Sequence, residues 1–533
     1  MKSQSNMDTI FVAAAAALLT ILVLLASRGR NTNLPPGPPK DPLIGHLLKI
    51  PPGNQAEIFH QWSQIYGDIM YLKVFGREMV ILGSLKASQE LLEHRGTNYC
   101  CRPKITMFEI MGWYPTLTFL QYGKRFLKHR KIFQQYFSPR ESRKFDHVFA
   151  EEARILAKSL PHAVEGRHFD LVYRFTTSNI MRAAFGHRVR SDDDPFLKLG
   201  VGVSHALNNS GPVGSTPVDF FPWLRYLPSW FPGGFYTGVA RSSFPVIREL
   251  HEAPVKFVQE RTQNGGNIER SFISDMLEEL GDHVDNEELD DIKGGSATIF
   301  AGGLLSVHLC LGVLQGLIRH SLTSGTDTTN ATLTIFFLAM IRHPEVQKRA
   351  YQEIVSVVGP DRLPVYSDKE SLPYLECVLN ETLRWHPAVQ LGVPHRALEE
   401  DVYDGMFIPK GAVMIANVHG MSRDENIYSE PWKFDPTRYL PQPHGKGEPV
   451  FTAVWGFGRR ICPGQHFAPI ALWHAMACIL ATLEIKPVED EHGNPLLPDV
   501  AFTEGLISKA LPFDLRVEIR SEAAKAILAE IEV

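Results

Sequence analysis

Cysteine is scarce in this chain. Six of 533 residues are cysteine (Cys100, Cys101, Cys310, Cys377, Cys462 and Cys478), and no two of them form a C-x-x-C pair. That scarcity excludes a disulfide-stapled scaffold and a zinc-ribbon or dithiol motif, and it fits thiols kept reduced in the cytosol. A basic excess is missing too. With 54 Lys and Arg against 59 Asp and Glu, the formal charge is -5, which provides no global field for a polyanion, so nucleic acid is not an expected partner. No low-complexity run, repeat or shift in composition divides the chain beyond its first fifty or so residues, and one large domain, 53–533, is expected.

What is present begins with an apolar N-terminus. Ile10 to Ala26 carries no charge, and as a helix at about 1.5 Å per residue it covers most of a bilayer core of about 30 Å. It reads as a single transmembrane anchor within residues 1–30 rather than a cleaved signal peptide, because the cysteine usage is intracellular in character. Arg28 and Arg30 follow directly and place the remaining chain on the cytosolic side. "LPPGPP", Leu34 to Pro39, lacks the N–H donors a helix needs, so residues 31–52 read as a stiff hinge between anchor and body.

The body is expected to be mainly α with small β-sheets. "EEARILAKSL", "SDMLEELGDHVDNEELDDI", "LTIFFLAMIRHPEVQKRAYQEIVSVV" and "LPYLECVLNETLRWHP" repeat apolar residues at helical spacing. "DIMYLKVFGREMVILGS" and "DVYDGMFIPKGAVMIANVHGM" read as short strands broken at Gly or Pro. The aromatic, Pro-punctuated stretch 218–235 suits either a core or a loop at a membrane interface.

Near the C-terminus stands "WGFGRRICPG", Trp455 to Gly464. Gly456, Gly458 and Gly464 permit tight turns whose N–H groups can face a sulfur, and Arg459 and Arg460 can meet the carboxylates of a bound anion. The apolar run "QHFAPIALWHAMACILATLEI" that follows reads as a helix with its positive end near Cys462. A buried structural cysteine beside a glycine turn is the bland alternative. The stretch resembles the haem-binding loop F-x-x-G-x-R-x-C-x-G of cytochrome P-450 monooxygenases, with Trp455 where the family has Phe. The resemblance implies the P-450 fold, Cys462 as the thiolate ligand of haem iron, and Trp455 and Gly456 beside the cofactor.

Other segments carry the same resemblance in the family's order. "NETLRWHP" and "FDPTRYL" match the E-x-x-R and P-x-R segments, which implies an interior network of Glu381, Arg384 and Arg438 fixing the cysteine loop. In "YGKRFLKHRK", Phe126 and Arg130 stand at the family's W-x-x-x-R spacing. Arg130, His395 of "GVPHRAL" and Arg460 are thereby implied partners of the haem propionates. "SGTDTTN" supplies Asp327 and Thr328, the implied acid and alcohol that deliver protons to oxygen. Between "GGSATIFAG", ending at Gly302, and Thr326 lie the 23 residues 303–325, and joining the two flanks restores one uninterrupted helix. That segment reads as a retained intron or gene-model error, with an outward-looping insertion as the alternative.

The resemblance covers nearly the whole chain, and fungal microsomal members are the nearest in detail. It implies haem b, NADPH electrons through a membrane-bound flavoprotein reductase, cytochrome b5 as a further candidate donor, and the endoplasmic reticulum membrane. Lys128, Lys131 and Arg459 are candidate contacts for the reductase. The family's substrate-contact regions would be 106–115, the helix before Asp327, 388–393 and 505–508, all largely apolar, so a lipophilic terpenoid, polyketide or polycyclic aromatic is expected. Two rivals are a reductase-independent haem-thiolate isomerase or dehydratase, and a haem-binding protein without activity.

Overall fold

The computed structural model describes residues 33–532 apart from 52, 164–165, 192, 211–215, 267–268, 282–284, 303–327, 504 and 506. The expected anchor at 10–26, the segment 303–325 and Asp327 lie outside the described residues. Among those described, no helix is long and apolar enough to cross a membrane.

The main sheet follows from the two strand-like stretches. Ile69–Val74 (β1) and Arg77–Leu82 (β2) form an antiparallel hairpin with Ile69 opposite Leu82. Its two-residue turn places Phe75 and Gly76 at φ 44° and 83°, the positive-φ pair that matches strand twist. His395–Arg396 (β3) and Val413–Ala416 (β4) complete the sheet in the order β1-β2-β4-β3, with β4 parallel to β2. The stretch expected to act as a spacer is in part docked here. The Pro36 carbonyl accepts from Tyr71 N at 2.9 Å, and the Asn33 carbonyl accepts from Phe407 N at 2.7 Å. An extended Pro-rich segment leaves its carbonyls unused, and nearby strand N–H groups take them.

The helices that frame the site are Thr106–Met111 (α1), Lys124–Tyr136 (α2), Asp146–Ser159 (α3), His168–Phe185 (α4), Pro217–Phe220 (α5), Phe235–Gln263 (α6), Phe272–Leu280 (α7), Asn286–Gly302 (α8), Thr328–Arg342 (α9), Pro344–Val358 (α10), Pro373–Trp385 (α11) and Ala468–Thr482 (α12). Two long helical patterns are split. Gly281, at φ 64°, ends α7, and Pro344 starts α10 at its first turn, where a missing N–H costs nothing. α12 is buried along nearly its whole length and packs against α3, α10 and α11. Its Pro469 sits in the first turn, which is why the helix tolerates it.

α4 touches both α8 and α9, one at each end. Phe185 meets Phe300 with ring centroids 5.8 Å apart, and His168 meets Phe337 at 6.5 Å. His168 is buried among Phe169, Phe337 and Phe513, and its Nε2 has no hydrogen-bond partner. Burial therefore pushes its pKa down to about 4. A histidine neutral in the fold and titrating near 6.5 when unfolded contributes stability above pH 6.5 that is lost as pH falls toward 4. That shift is worth about 3 kcal/mol. His168→Phe is expected to flatten the acid limb between pH 6.5 and 4 in urea-unfolding curves, and an unchanged slope would contradict it.

The stretch 218–235 is not core. Trp223, Tyr226, Trp230 and Phe235 are 56%, 82%, 81% and 65% exposed, while Val218 and Leu224 are buried and Leu227 and Phe231 pack partly against the core. Its prolines keep the backbone turning, so successive rings fall outside any one buried face. Phe220 and Phe221 pack on Phe75 of the β1–β2 turn at 5.6 and 5.5 Å, which extends the aromatic surface onto the sheet.

Candidate active site around Cys462

The cysteine loop is closed by its own backbone. Cys462 N donates to Trp455 O at 2.7 Å, and Ile461 N donates to Gly458 O at 3.1 Å. Gly456 and Gly458 take φ of 75° and 55°, and a Cβ at Gly458 would stand 2.1 Å from the Leu92 carbonyl. Glycine is required there on both counts. α12 begins only at Ala468, after a 3-10 turn at Pro463–His466. The N–H facing the sulfur is therefore that of Gly464 in this turn, one step nearer than the expected helix end. Burial raises the Cys462 thiol pKa, and the Gly464 amide and Arg130 oppose that rise. A metal at the sulfur would remove the proton outright.

Three buried guanidinium groups gather around the loop. Arg130 Nη1 donates to Ile461 O at 2.6 Å, and its Nε is buried without a partner. Arg460 donates to the carbonyls of Cys100, Leu117 and Leu120 at 2.7, 3.3 and 2.7 Å. Arg102 donates to Thr118 O at 3.2 Å and to Val393 O and Pro394 O at 2.7 and 2.8 Å. None of the three has a carboxylate partner among the described residues. Burial lowers all three pKa values, Arg460 to about 10, yet a guanidinium stays charged at neutral pH. Buried cations without an anion are costly, and the set fits a buried ligand with two carboxylates, such as the propionates of haem. Phe126 does not replace the family's indole as a donor. Its ring lies under Arg460, 3.6 Å from the guanidinium carbon, as a cation–π platform.

His395 is buried at the sheet edge, and its Nδ1 donates to Tyr99 O at 2.8 Å. Burial, then Arg102, hold it neutral, so Nε2 carries a lone pair. Pairing a carboxylate at Nε2 needs a second proton, which the carboxylate's own charge would favour.

Beneath the loop, Glu381, Arg384 and Arg438 are fully buried together. Arg384 grips Glu381 through two bonds of 2.8 Å, and Arg438 Nε adds one of 3.0 Å. Arg384 also donates to Ser422 O and Pro431 O at 2.8 Å each, which ties α11 to the chain leading into the loop. Tyr439 and the Asp435 N–H complete the carboxylate's shell. Arg438 Nη1 bonds Glu448, a member that spacing did not reveal. Burial works against the charge on Arg438, but Glu381 and Glu448 hold its pKa above the usual value.

The other expected residues fall in different places. Trp455 is half-buried and leads the loop. Thr328 is the first residue of α9, and its carbonyl accepts from Thr332 Oγ1 at 2.7 Å. With Asp327 outside the described residues, the acid and alcohol are not seen together. Lys128 is engaged at 2.7 Å with Asp291, which also binds Arg125 and His129 at 2.7 and 2.9 Å. Its ammonium thus bridges α2 to α8. Lys131 is exposed, and Arg459 donates to Tyr122 OH at 2.8 Å on the surface.

A mainly helical fold presenting a glycine-wrapped cysteine beside buried arginines defines a class of thiolate-bearing cofactor proteins. The family model described as "Cytochrome P450" matches residues 35–305 and 313–516. "Cytochrome P450 monooxygenase 136" of Postia placenta is 34% identical over 98% of this chain and 95% of its own length. "Cytochrome P450 monooxygenase ARMGADRAFT_974139" of Armillaria gallica is 33% identical over 96% and 97%, and "Cytochrome P450 monooxygenase claT" of Ampulloclitocybe clavipes is 33% identical over 98% and 99%. The chain belongs to the cytochrome P450 family and is an oxidoreductase of the monooxygenase class, a family whose cofactor is haem.

Proposed function

We propose that Cys462 is the axial thiolate of haem b, and that the enzyme inserts one atom of O₂ into a lipophilic small molecule. Terpenoids, polyketides and polycyclic aromatics are the substrate chemistries that suit the apolar segments 106–115, 388–393 and 505–508. The observation that carries this reading is the half-buried Cys462 in a loop that Arg130 holds and that carries Arg460, with Arg102 beside Arg460 and none of the three guanidinium groups paired to a carboxylate among the described residues. Haem, when bound, supplies the iron that activates dioxygen for transfer of one oxygen atom. Arg102, Arg130 and Arg460 would hold its carboxylates, with His395 as a further partner. Glu381, Arg384 and Arg438 keep the loop in place, and Asp327 and Thr328 deliver protons. Electrons come from NADPH through a flavoprotein reductase, with cytochrome b5 as a further donor and Lys131 and Arg459 on the docking face. The setting is the endoplasmic reticulum membrane, entered once by residues 10–26 with the catalytic domain in the cytosol. Support for a bilayer comes from the exposed rings of Trp223, Tyr226 and Trp230, residue types that favour the membrane–water boundary.

The same reading treats residues 303–325 as surplus. α4 spans about 26 Å between His168 and Phe185, at 1.5 Å per residue, and its two ends rest on α9 and α8. Helix from Phe300 to Phe337 would cover about 21 Å without the segment and about 55 Å with it. The shorter length supports one helix lying along α4, with an outward loop joining α8 to α9 as the alternative. The family match is interrupted at 306–312, inside the segment, and takes in its flanks 303–305 and 313–325.

The test is a reduced, CO-bound spectrum of membrane fractions carrying the full chain and a version lacking 303–325, each assayed with NADPH. The shortened chain is expected to sediment with membranes, give a thiolate-type band and consume NADPH with a lipophilic substrate, and the full chain to do so at least tenfold less. Equal activity in both would refute the surplus assignment. No thiolate band in either would refute the role of Cys462, and a normal band without turnover in either would identify a haem-binding protein that is not a working enzyme.

A further inference from the structure

We propose that His386 is a positioning residue that joins the chain after α11 to a hairpin near the C-terminus, and that this join sets how tightly the site holds the apolar part of a ligand. α11 ends at Trp385 because Pro387 follows, and the residue before a proline is kept out of helical geometry. His386 accordingly takes φ -145° and ψ 91°, and its buried ring meets residues 502–508. The imidazole stacks on Phe502 with centroids 3.4 Å apart and planes 11° apart. Its Nε2 lies 2.7 Å from Ser508 Oγ, and the same hydroxyl donates to Thr503 O at 2.6 Å. A hydroxyl has one proton and a carbonyl can only accept, so Ser508 gives its proton to Thr503 and accepts from His386 Nε2. Burial, followed by His419 and Arg423, holds the ring well below its usual pKa, so the imidazole is neutral with its proton on Nε2. The Gln390 side-chain amide, 3.3 Å from that nitrogen, then presents its oxygen there.

Each side of the join leads elsewhere. α11 carries Glu381 and Arg384, so His386 stands two residues beyond the buried ion network. From there, residues 388–393 run to the carbonyls of Val393 and Pro394, which Arg102 holds at 2.7 and 2.8 Å. On the other side, Thr503 N donates to Lys509 O at 2.8 Å and Leu511 N to Ala501 O at 2.9 Å, which pairs the arms of the hairpin. Ile507 and Ala510 are buried in the main core, so packing sets where the hairpin sits. The backbone ties it to its neighbour at one point, where Ser508 N donates to Ala388 O at 2.7 Å. A single bond is a pivot. The imidazole, with one bond in its plane and one stack across its face, fixes the rotation about that pivot and so the path of 388–393 toward Arg102. The cysteine loop is closed by its own backbone, so loosening the join should change ligand contacts and leave the sulfur in place. The proposal rests on the reading in which both segments border an apolar substrate at the Cys462 haem.

Imidazole and N-octylimidazole both bind haem iron through nitrogen, but only the second has an apolar chain for the walls to hold. In the full chain, Ser508→Ala is expected to raise the Kd of N-octylimidazole about fivefold and that of imidazole less than twofold, with the thiolate-type CO band retained. His386→Ala should widen the same split to about tenfold and speed amide exchange at Ser508 by a similar factor. Ser508→Ala is the deciding variant if His386→Ala does not yield loaded protein. Equal weakening of both azoles would mark a general loss of structure and overturn the proposal. An unchanged N-octylimidazole Kd would overturn it too, as would unchanged exchange at Ser508. A missing thiolate band in the unmodified protein refutes the haem reading, whereas the exchange readout judges the join at His386 without haem.

Discussion

Glu381→Ala is expected to leave almost no haem-loaded protein. The side chains of Glu381, Arg384 and Arg438 are all 0% exposed, so removing the carboxylate strands the Arg384 guanidinium in a medium that cannot solvate it and leaves Arg438 with Glu448 alone. Breaking a buried ion pair from one side costs about 3–5 kcal/mol, against a total stability of about 5–15 kcal/mol for a folded protein. The loss also falls where it does most harm, because Arg384 holds the carbonyls of Ser422 and Pro431 and Arg438 reaches Ser429 and Glu448. Glu381→Gln keeps an acceptor oxygen and should be intermediate. Tyr439→Phe, which removes a single 3.2 Å bond, should cost about 1 kcal/mol. Haem content per chain and the melting temperature are the readouts, and an alanine variant that melts with the unmodified protein would contradict the argument.

Cys462→Ser is expected to spare the fold and abolish turnover. The bonds closing the loop come from backbone groups at 455, 458, 461 and 462, and serine preserves them. What it removes is the sulfur whose anionic form the Gly464 amide and Arg130 favour. Substrate oxidation should fall by on the order of 10³-fold or more, the scale for removing a group that stabilises charge at the reacting centre. The thiolate-type CO band should vanish while the melting temperature changes by only a few degrees. Oxidation within tenfold of the unmodified enzyme would exclude Cys462 as the ligand.

The parts of the site that were legible in the sequence are those set by local spacing. The i, i+3 pair of Glu381 and Arg384 and the glycines around Cys462 need only a helix turn or a tight loop to reach their places. Arg438 was legible because it lies in a short segment of fixed pattern. Arg102 was not, since its acceptors Val393 and Pro394 are some 290 residues away in sequence, and no periodicity marks it. Glu448 escaped notice for a similar reason, lying in a loop with no regular element. Phe126 has no donor to offer, and only the packed structure shows its ring under Arg460. In the fold, periodicity found the helices but not their interruptions at Gly281 and Pro344. It also could not decide between core and surface for 218–235, because an irregular backbone has no repeating buried face.

The unbalanced charge around Cys462 has a consequence for biosynthesis. A newly made chain that collapses before its cofactor arrives must bury Arg102, Arg130 and Arg460 with only carbonyls for company. On the proposed function, a dianion held by these three would add its binding free energy to folding as far as it binds the native chain and not the unfolded one. Cofactor capture and completion of the native state are then a single thermodynamic event. Cells starved of porphyrin precursor should accumulate degraded chain rather than a stable empty protein, and supplying the precursor during synthesis should raise the yield of intact polypeptide as well as its colour.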